Sequence, residues 1–232
     1  VISTAVQYTE KELEPFISSL KKAQNIYTIG AGTAWHEAVY FAHLLRTYSG
    51  ISAIDVKAYE FGSYKNIITS NDVVVAFSQS GETADTIEAL ELSSEAGATI
   101  VSIVNVMGST IDRMSEETLY ARAGAEIGVA STKAATAKMA VAALLAHTIG
   151  GNYSQAKKDI EKNAKSIESF FTDDYLTHIE DLAKKLENKE HFFILGKGNN
   201  FAITLESALK VKEISYKHFE GFSAGELKHG VI

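Results

Sequence analysis

The sequence contains no cysteine and a single proline in 232 residues. Without cysteine there are no disulfides, no thiolate nucleophile and no cysteine-based metal site, which fits a cytoplasmic protein. Long apolar runs are missing as well. The longest weakly polar segment, Met139 to Ile149, is far shorter than the roughly 20 residues a membrane helix needs, and residues 1–20 are mixed polar with no apolar segment of the signal-peptide kind. No membrane association is expected. Positive charge is scarce too: the net charge is −7 and no run of Lys and Arg makes a basic stripe, which argues against a nucleic-acid surface. Nothing in the sequence asks for a metal or a cofactor, and none is expected. What remains is ordinary globular usage, 46% hydrophobic and 22% charged, at a length that allows one large or two small domains.

The chain is organised around Val73-Val74-Val75-Ala76-Phe77 and the turn Ser78-Gln79-Ser80-Gly81-Glu82-Thr83 that follows. An unbroken β-branched run leading into small hydroxylated residues, a glycine and the helical pattern of Ile87, Ala89 and Leu90 reads as a buried parallel strand feeding a helix. The first turn of such a helix presents unpartnered N–H groups and a partial positive charge. Ser78, Ser80 and Thr83 add hydroxyls, and Gly81 lets the backbone approach a ligand, so the loop suits a phosphate. An ordinary turn with Ser80 as helix N-cap fits the same residues.

The rest of the first half follows a strand–loop–helix rhythm. Residues 1–22 look helical, with Pro15 as a possible break. Ile26–Ile29 is a strand, Gly30–Thr33 a turn and Ala34–Tyr48 a helix. Ile54–Tyr59, Thr99–Val104 and Thr118–Ala121 read as further strands, and an alanine-rich helix runs from Ser131 to about Ile149. Alternation of this kind predicts an α/β fold, a doubly wound parallel sheet covered on both faces. The loops at 30–33, 78–83 and 127–132 all fall at the carboxyl edge, where ligands of such sheets bind.

Gly150-Gly151 marks a boundary, and two charged, amphipathic helices follow. His191–Gly198 then repeats the form of Tyr27–Gly32, with Gly30 matching Gly196 and Gly32 matching Gly198 at a common spacing of 166 residues. The expected organisation is a first domain at 1–150, linking helices at 151–188 and the start of a second copy at 189–232. Because the second copy stops after about one-third of its pattern, the chain reads either as a C-terminally shortened piece or as one domain with a helical appendage. An unfinished sheet should bare Phe192, Phe193 and Ile194 and lead to association or disorder there.

In the helix from Phe201 to about Lys217, Glu206, Lys210, Glu213 and Lys217 share one face. Such a face is usually only solvated. It also suits a proton transfer in which Glu213 is the base and Lys210 stabilises charge, and His229 has a titration range suited to the same task.

Together, Phe77 to Thr86, Glu126 to Lys133 and Leu205 to Gly230 closely resemble the sugar isomerase (SIS) half of the glutamine–fructose-6-phosphate aminotransferases. The resemblance implies that Thr33, Ser78, Gln79, Ser80 and Thr83 bind phosphate and that Val129 and Ser131 line the sugar. It makes Glu213 the base between C1 and C2, Lys210 and Glu206 its charged partners, and His229 the group linked to ring opening, donated by the neighbouring subunit of a homodimer. It also implies a glutaminase domain upstream and an imine-forming lysine in a C-terminal tail, so this piece is not expected to perform the full reaction. Ala31 and Ala34 depart from the family, where many members carry cysteine and serine. A stand-alone SIS-type deaminase or isomerase, and a sugar-phosphate sensor without turnover, resemble the same loops.

Overall fold

The computed structural model describes residues 1–230; the last two positions of the expected second copy lie outside the described residues. Five parallel strands form one sheet in the order β2-β1-β3-β4-β5, built from β1 (Ile26–Gly30), β2 (Ile54–Lys57), β3 (Val73–Ser78), β4 (Thr99–Val104) and β5 (Glu117–Tyr120). β3 is central and buried along its whole length, as its unbroken apolar run requires. It pairs with β1 from Ile26↔Val73 to Ile29↔Ala76 and with β4 from Val73↔Thr99 to Ser78↔Val104.

Each face of the sheet carries its own core. On one side Phe77, Val75 and Val101 pack under α3 (Thr33–Leu44) and the alanine-rich α6 (Lys133–Ile149), joined by Leu13, Phe16 and Leu20 of α2 (Glu10–Lys22). On the other, Val74, Ala76 and Ile100 pack against Ala89 and Leu90 of α4 (Ala84–Glu95) and against Phe61. A sheet covered on both faces by crossover helices is the doubly wound arrangement.

Several boundaries differ from the sequence reading. Pro15 lies inside an unbroken α2, on its exposed side, where water can satisfy the carbonyl that its ring leaves unpaired. The break comes earlier, between the short α1 (Ile2–Ala5) and Thr9, whose side chain forms a capping box with Glu12. β2 stops at Lys57, and Ala58–Tyr64 coils into a 3₁₀ helix that carries Phe61 into the second core. α3 ends at Leu44 and continues as a π-turn, Leu45–Ser49, closed by left-handed Gly50.

Beyond α7 (Tyr153–Phe170) and α8 (Asp173–Leu186), the repeat is visible in the backbone. β6 (His191–Gly196), α9 (Asn199–Ser215) and β7 (His218–Ser223) form a second strand–helix–strand unit with a two-stranded parallel sheet. At the spacing of the paired glycines, Thr33 corresponds to Asn199, Ser49 to Ser215 and Lys57 to Ser223, each an element boundary in both copies. Gly32 (φ 57, ψ −126) and Gly198 (φ 60, ψ −129) hold the same conformation before the helix. A side chain at Gly30 would overlap the backbone of Ala34, and one at Gly196 the backbone of Asn200, so both copies need glycine for the same close strand–helix approach.

Candidate functional site

The strand order reverses between β1 and β3, whose following helices leave to opposite faces of the sheet. At that point a cavity of about 190 Å³ opens between the loop after β1 and the loop after β3, lined by Thr33, Ala34, Gln79, Ser80, Thr83 and Ser131, with Ala31 and Lys138. Gly32 caps α3 and Thr83 caps α4 without any side-chain hydrogen bond, so the amide ends of both helices lack a protein side-chain partner beside the cavity. Ser80 Oγ accepts from the Glu82 amide, which leaves its proton free to donate.

The third expected helix terminus is different. α6 begins at Lys133, not at Ser131, and the Glu126 carboxylate takes up its free amides, accepting from Thr132, Lys133 and, at 3.5 Å, Ala134 as well as from Ser131 Oγ. Burial alone would raise the Glu126 carboxyl, but these hydrogen bonds outweigh it and hold the group below its usual range. An internal anion thus occupies this terminus, and two open helix ends face the cavity rather than three.

Ser78 is fully buried, and its Oγ accepts from the Gly81 amide at 2.9 Å and shares a 3.2 Å hydrogen bond with Thr83 Oγ1. It is not among the residues lining the cavity. In this arrangement the Ser78 hydroxyl shapes the turn that carries Gly81 and Thr83. Val129, the other residue expected beside the sugar with Ser131, stands 95% exposed and is not among the residues lining the cavity.

A charged cluster adjoins the cavity and ties the two copies together. Thr33 Oγ1 donates to Glu206 Oε1 at 3.0 Å and accepts from Lys210 Nζ at 3.0 Å. Lys210 Nζ also lies 3.3 Å from Glu206 Oε1 and 2.8 Å from Glu213 Oε2. The i, i+3 and i, i+4 spacing on α9 therefore builds one network rather than a merely solvated face. His36 Nδ1 meets Glu206 Oε2 at 2.7 Å. Burial would raise Glu206, yet the hydrogen bond from His36 and the charge of Lys210 prevail and keep its carboxyl low. A second hollow of about 290 Å³, with Ser131, Glu206 and Lys210 in its wall, shares Ser131 with the first.

His36 escaped the sequence reading because its partner is 170 residues away and no local pattern marks it. Lys217, the last member of the α9 face, turns instead to the carbonyls of Glu187 and Lys189. His229 follows the 3₁₀ turn Glu226–Lys228, is exposed, and makes no side-chain hydrogen bond among the described residues. Chemically, the arrangement offers an anion pocket with hydroxyl and amide donors, next to a carboxylate–ammonium–carboxylate array suited to moving a proton and stabilising the charge that develops.

Residues 19–148 and 185–232 match the model of the SIS domain. The chain belongs to the SIS-domain family. Within that family it is similar to the glutamine–fructose-6-phosphate aminotransferase [isomerizing] of Pyrococcus horikoshii, with 39% identity over 236 residues covering 100% of this chain and 39% of that protein. The Thermotoga maritima protein of the same name is 39% identical over 229 residues, covering 96% and 38%. Among solved structures, the C-terminal domain of glucosamine-fructose-6-phosphate aminotransferase from Francisella tularensis matches with a TM-score of 0.84 at 30% identity, over 99% of this chain and 68% of that one. The chain thus spans less than two-fifths of the length of these curated relatives. Among the described residues, no helix is long and apolar enough to cross a membrane.

Proposed function

We propose that this chain is the sugar-phosphate binding and isomerisation module of an enzyme that converts fructose 6-phosphate and glutamine-derived ammonia to glucosamine 6-phosphate. The observation that carries the reading is Thr33, whose hydroxyl joins the loop of the anion pocket directly to Glu206 and Lys210. A phosphoryl group held by Gln79, Ser80, Thr83 and the amide ends of α3 and α4 would place the sugar carbons over the α9 array. Glu213 then shuttles the proton between C1 and C2, Lys210 neutralises the enediolate or enolamine as it forms, and Glu206, fixed by Thr33 and His36, holds Lys210 in place. Ser131 borders the sugar. His229 opens the ring in the site of a neighbouring subunit, so the working unit is a homodimer.

Ammonia comes from a glutaminase domain on the amino-terminal side of the whole protein, which works in the cytoplasm. The test is glutamine-dependent glucosamine 6-phosphate formation by that whole protein. Glu213→Gln should lower kcat by about a hundredfold or more while leaving fructose 6-phosphate binding nearly unchanged. A kcat within twofold of the parent would remove Glu213 from the chemistry.

A further inference from the structure

Lys138 and Glu37 form an ion pair inside the first core, with both side chains 0% exposed and Nζ 2.8 Å from Oε2. A wholly buried pair is costly to keep, and well-packed apolar residues usually serve stability as well or better. This pair is also incomplete. Among the described residues, and apart from this contact with each other, Lys138 Nζ and the two Glu37 oxygens have no hydrogen-bond partner. An ammonium has three protons to place, and an unsatisfied one in the interior is a standing cost.

The position of Lys138 supplies a reason. From α6 it lies directly behind the surface of the cavity between the β1 and β3 loops, fully buried, and it is the one cation among the residues that bound that cavity. Ala31 and Ala34 offer no polar side-chain atom on the same wall, and Thr33 has its proton committed to Glu206.

We propose that Lys138 is a phosphate-binding residue, a buried ammonium held in place by Glu37 whose unplaced protons go to the phosphoryl oxygens of the ligand. The proposal rests on the sugar-phosphate reading of the cavity and adds to it the source of dianion selectivity. Burial that pushes the Glu37 carboxyl up to about 7 despite its lysine partner agrees with an ammonium only partly engaged by that carboxylate.

Calorimetric titration of the whole chain with fructose 6-phosphate and with fructose 6-sulfate tests it. The variants are Lys138→Met paired with Glu37→Leu, which keeps the volume without the charges, and Lys138→Gln alone as a second route should the pair not fold. Ser80→Ala with Thr83→Ala serves as the control for the cavity itself. Loss of the lysine should weaken fructose 6-phosphate about ten- to a hundredfold and shrink its preference over the monoanionic sulfate ester, an effect that a purely structural lysine would not have. Unchanged affinity and preference in folded Lys138 variants, with the Ser80 and Thr83 control weakened, would overturn the proposal and leave the phosphate site standing. No binding by the parent chain, or no loss in any variant, would overturn both.

Discussion

The most informative single residue is Thr33. One hydroxyl donates to Glu206 and accepts from Lys210, so the cavity loop of the first copy and the charged face of α9 in the second are separated by one side chain. None of this is visible in the sequence, because the partners are 173 and 177 residues away. The residues themselves were legible: Glu206, Lys210 and Glu213 by their helical spacing, Ser80 and Thr83 by their place after a buried strand. The bracing of the turn by Ser78 was not legible, since a hydroxyl that braces a turn and one that faces a ligand look alike in a string of letters. Glu37 and Lys138 were missed because a charged residue in an alanine-rich helix is expected to face water.

Glu37 also carries a pH signature. Its carboxyl is raised from an ordinary 4.5 to about 7, first by burial, with Lys138 opposing and Glu206 and Glu126 adding to the rise. The folded state holds this proton more tightly than the unfolded chain, so its contribution to stability is fully present below about 4.5 and is lost as pH rises through about 7. Measured against Glu37→Gln by urea midpoints between pH 4.5 and 8, the parent should lose stability relative to the variant as pH rises. Parallel curves would show that Glu37 titrates in its ordinary range.

At the scale of elements, strand–helix junctions set the site. In both copies a glycine ends the strand and a second, left-handed glycine starts the helix, which explains why the repeat was readable from two glycine pairs alone. Gly81 belongs to the same logic. It has φ 69, and a side chain there would overlap Ser109, the N-cap of α5 (Thr110–Met114). Gly81→Ala should therefore cost about 1–3 kcal/mol in denaturant unfolding and weaken ligand binding by spoiling the loop. A full-strength denaturation midpoint would mean that the loop relaxes at no cost. The element ends were the least legible part. The 3₁₀ segment at Ala58–Tyr64 and the π-turn at Leu45–Ser49 answer to packing by Phe61 and Leu45 that no local propensity encodes.

The whole molecule joins one complete five-stranded unit to a second, two-stranded one. The expectation of bared apolar surface on the second unit is met at alternate positions only. Phe193 is 50% exposed, while Phe192 is half-buried and stacks on Phe219 with ring centroids 4.2 Å apart. Together with Leu182, Val211 and Ile214, that region forms an apolar hollow beside α8. The relatives are more than twice as long as this chain, and the cavity between the β1 and β3 loops is lined entirely by residues of the five-stranded unit and its helices.

That division makes ligand binding by the chain itself the most direct test of the central claim. In a calorimetric titration, fructose 6-phosphate and glucosamine 6-phosphate should bind saturably at one site per chain, with unphosphorylated fructose silent and inorganic phosphate weaker than either sugar phosphate. Equal binding of all four, or of none, would contradict a sugar-phosphate site between the β1 and β3 loops.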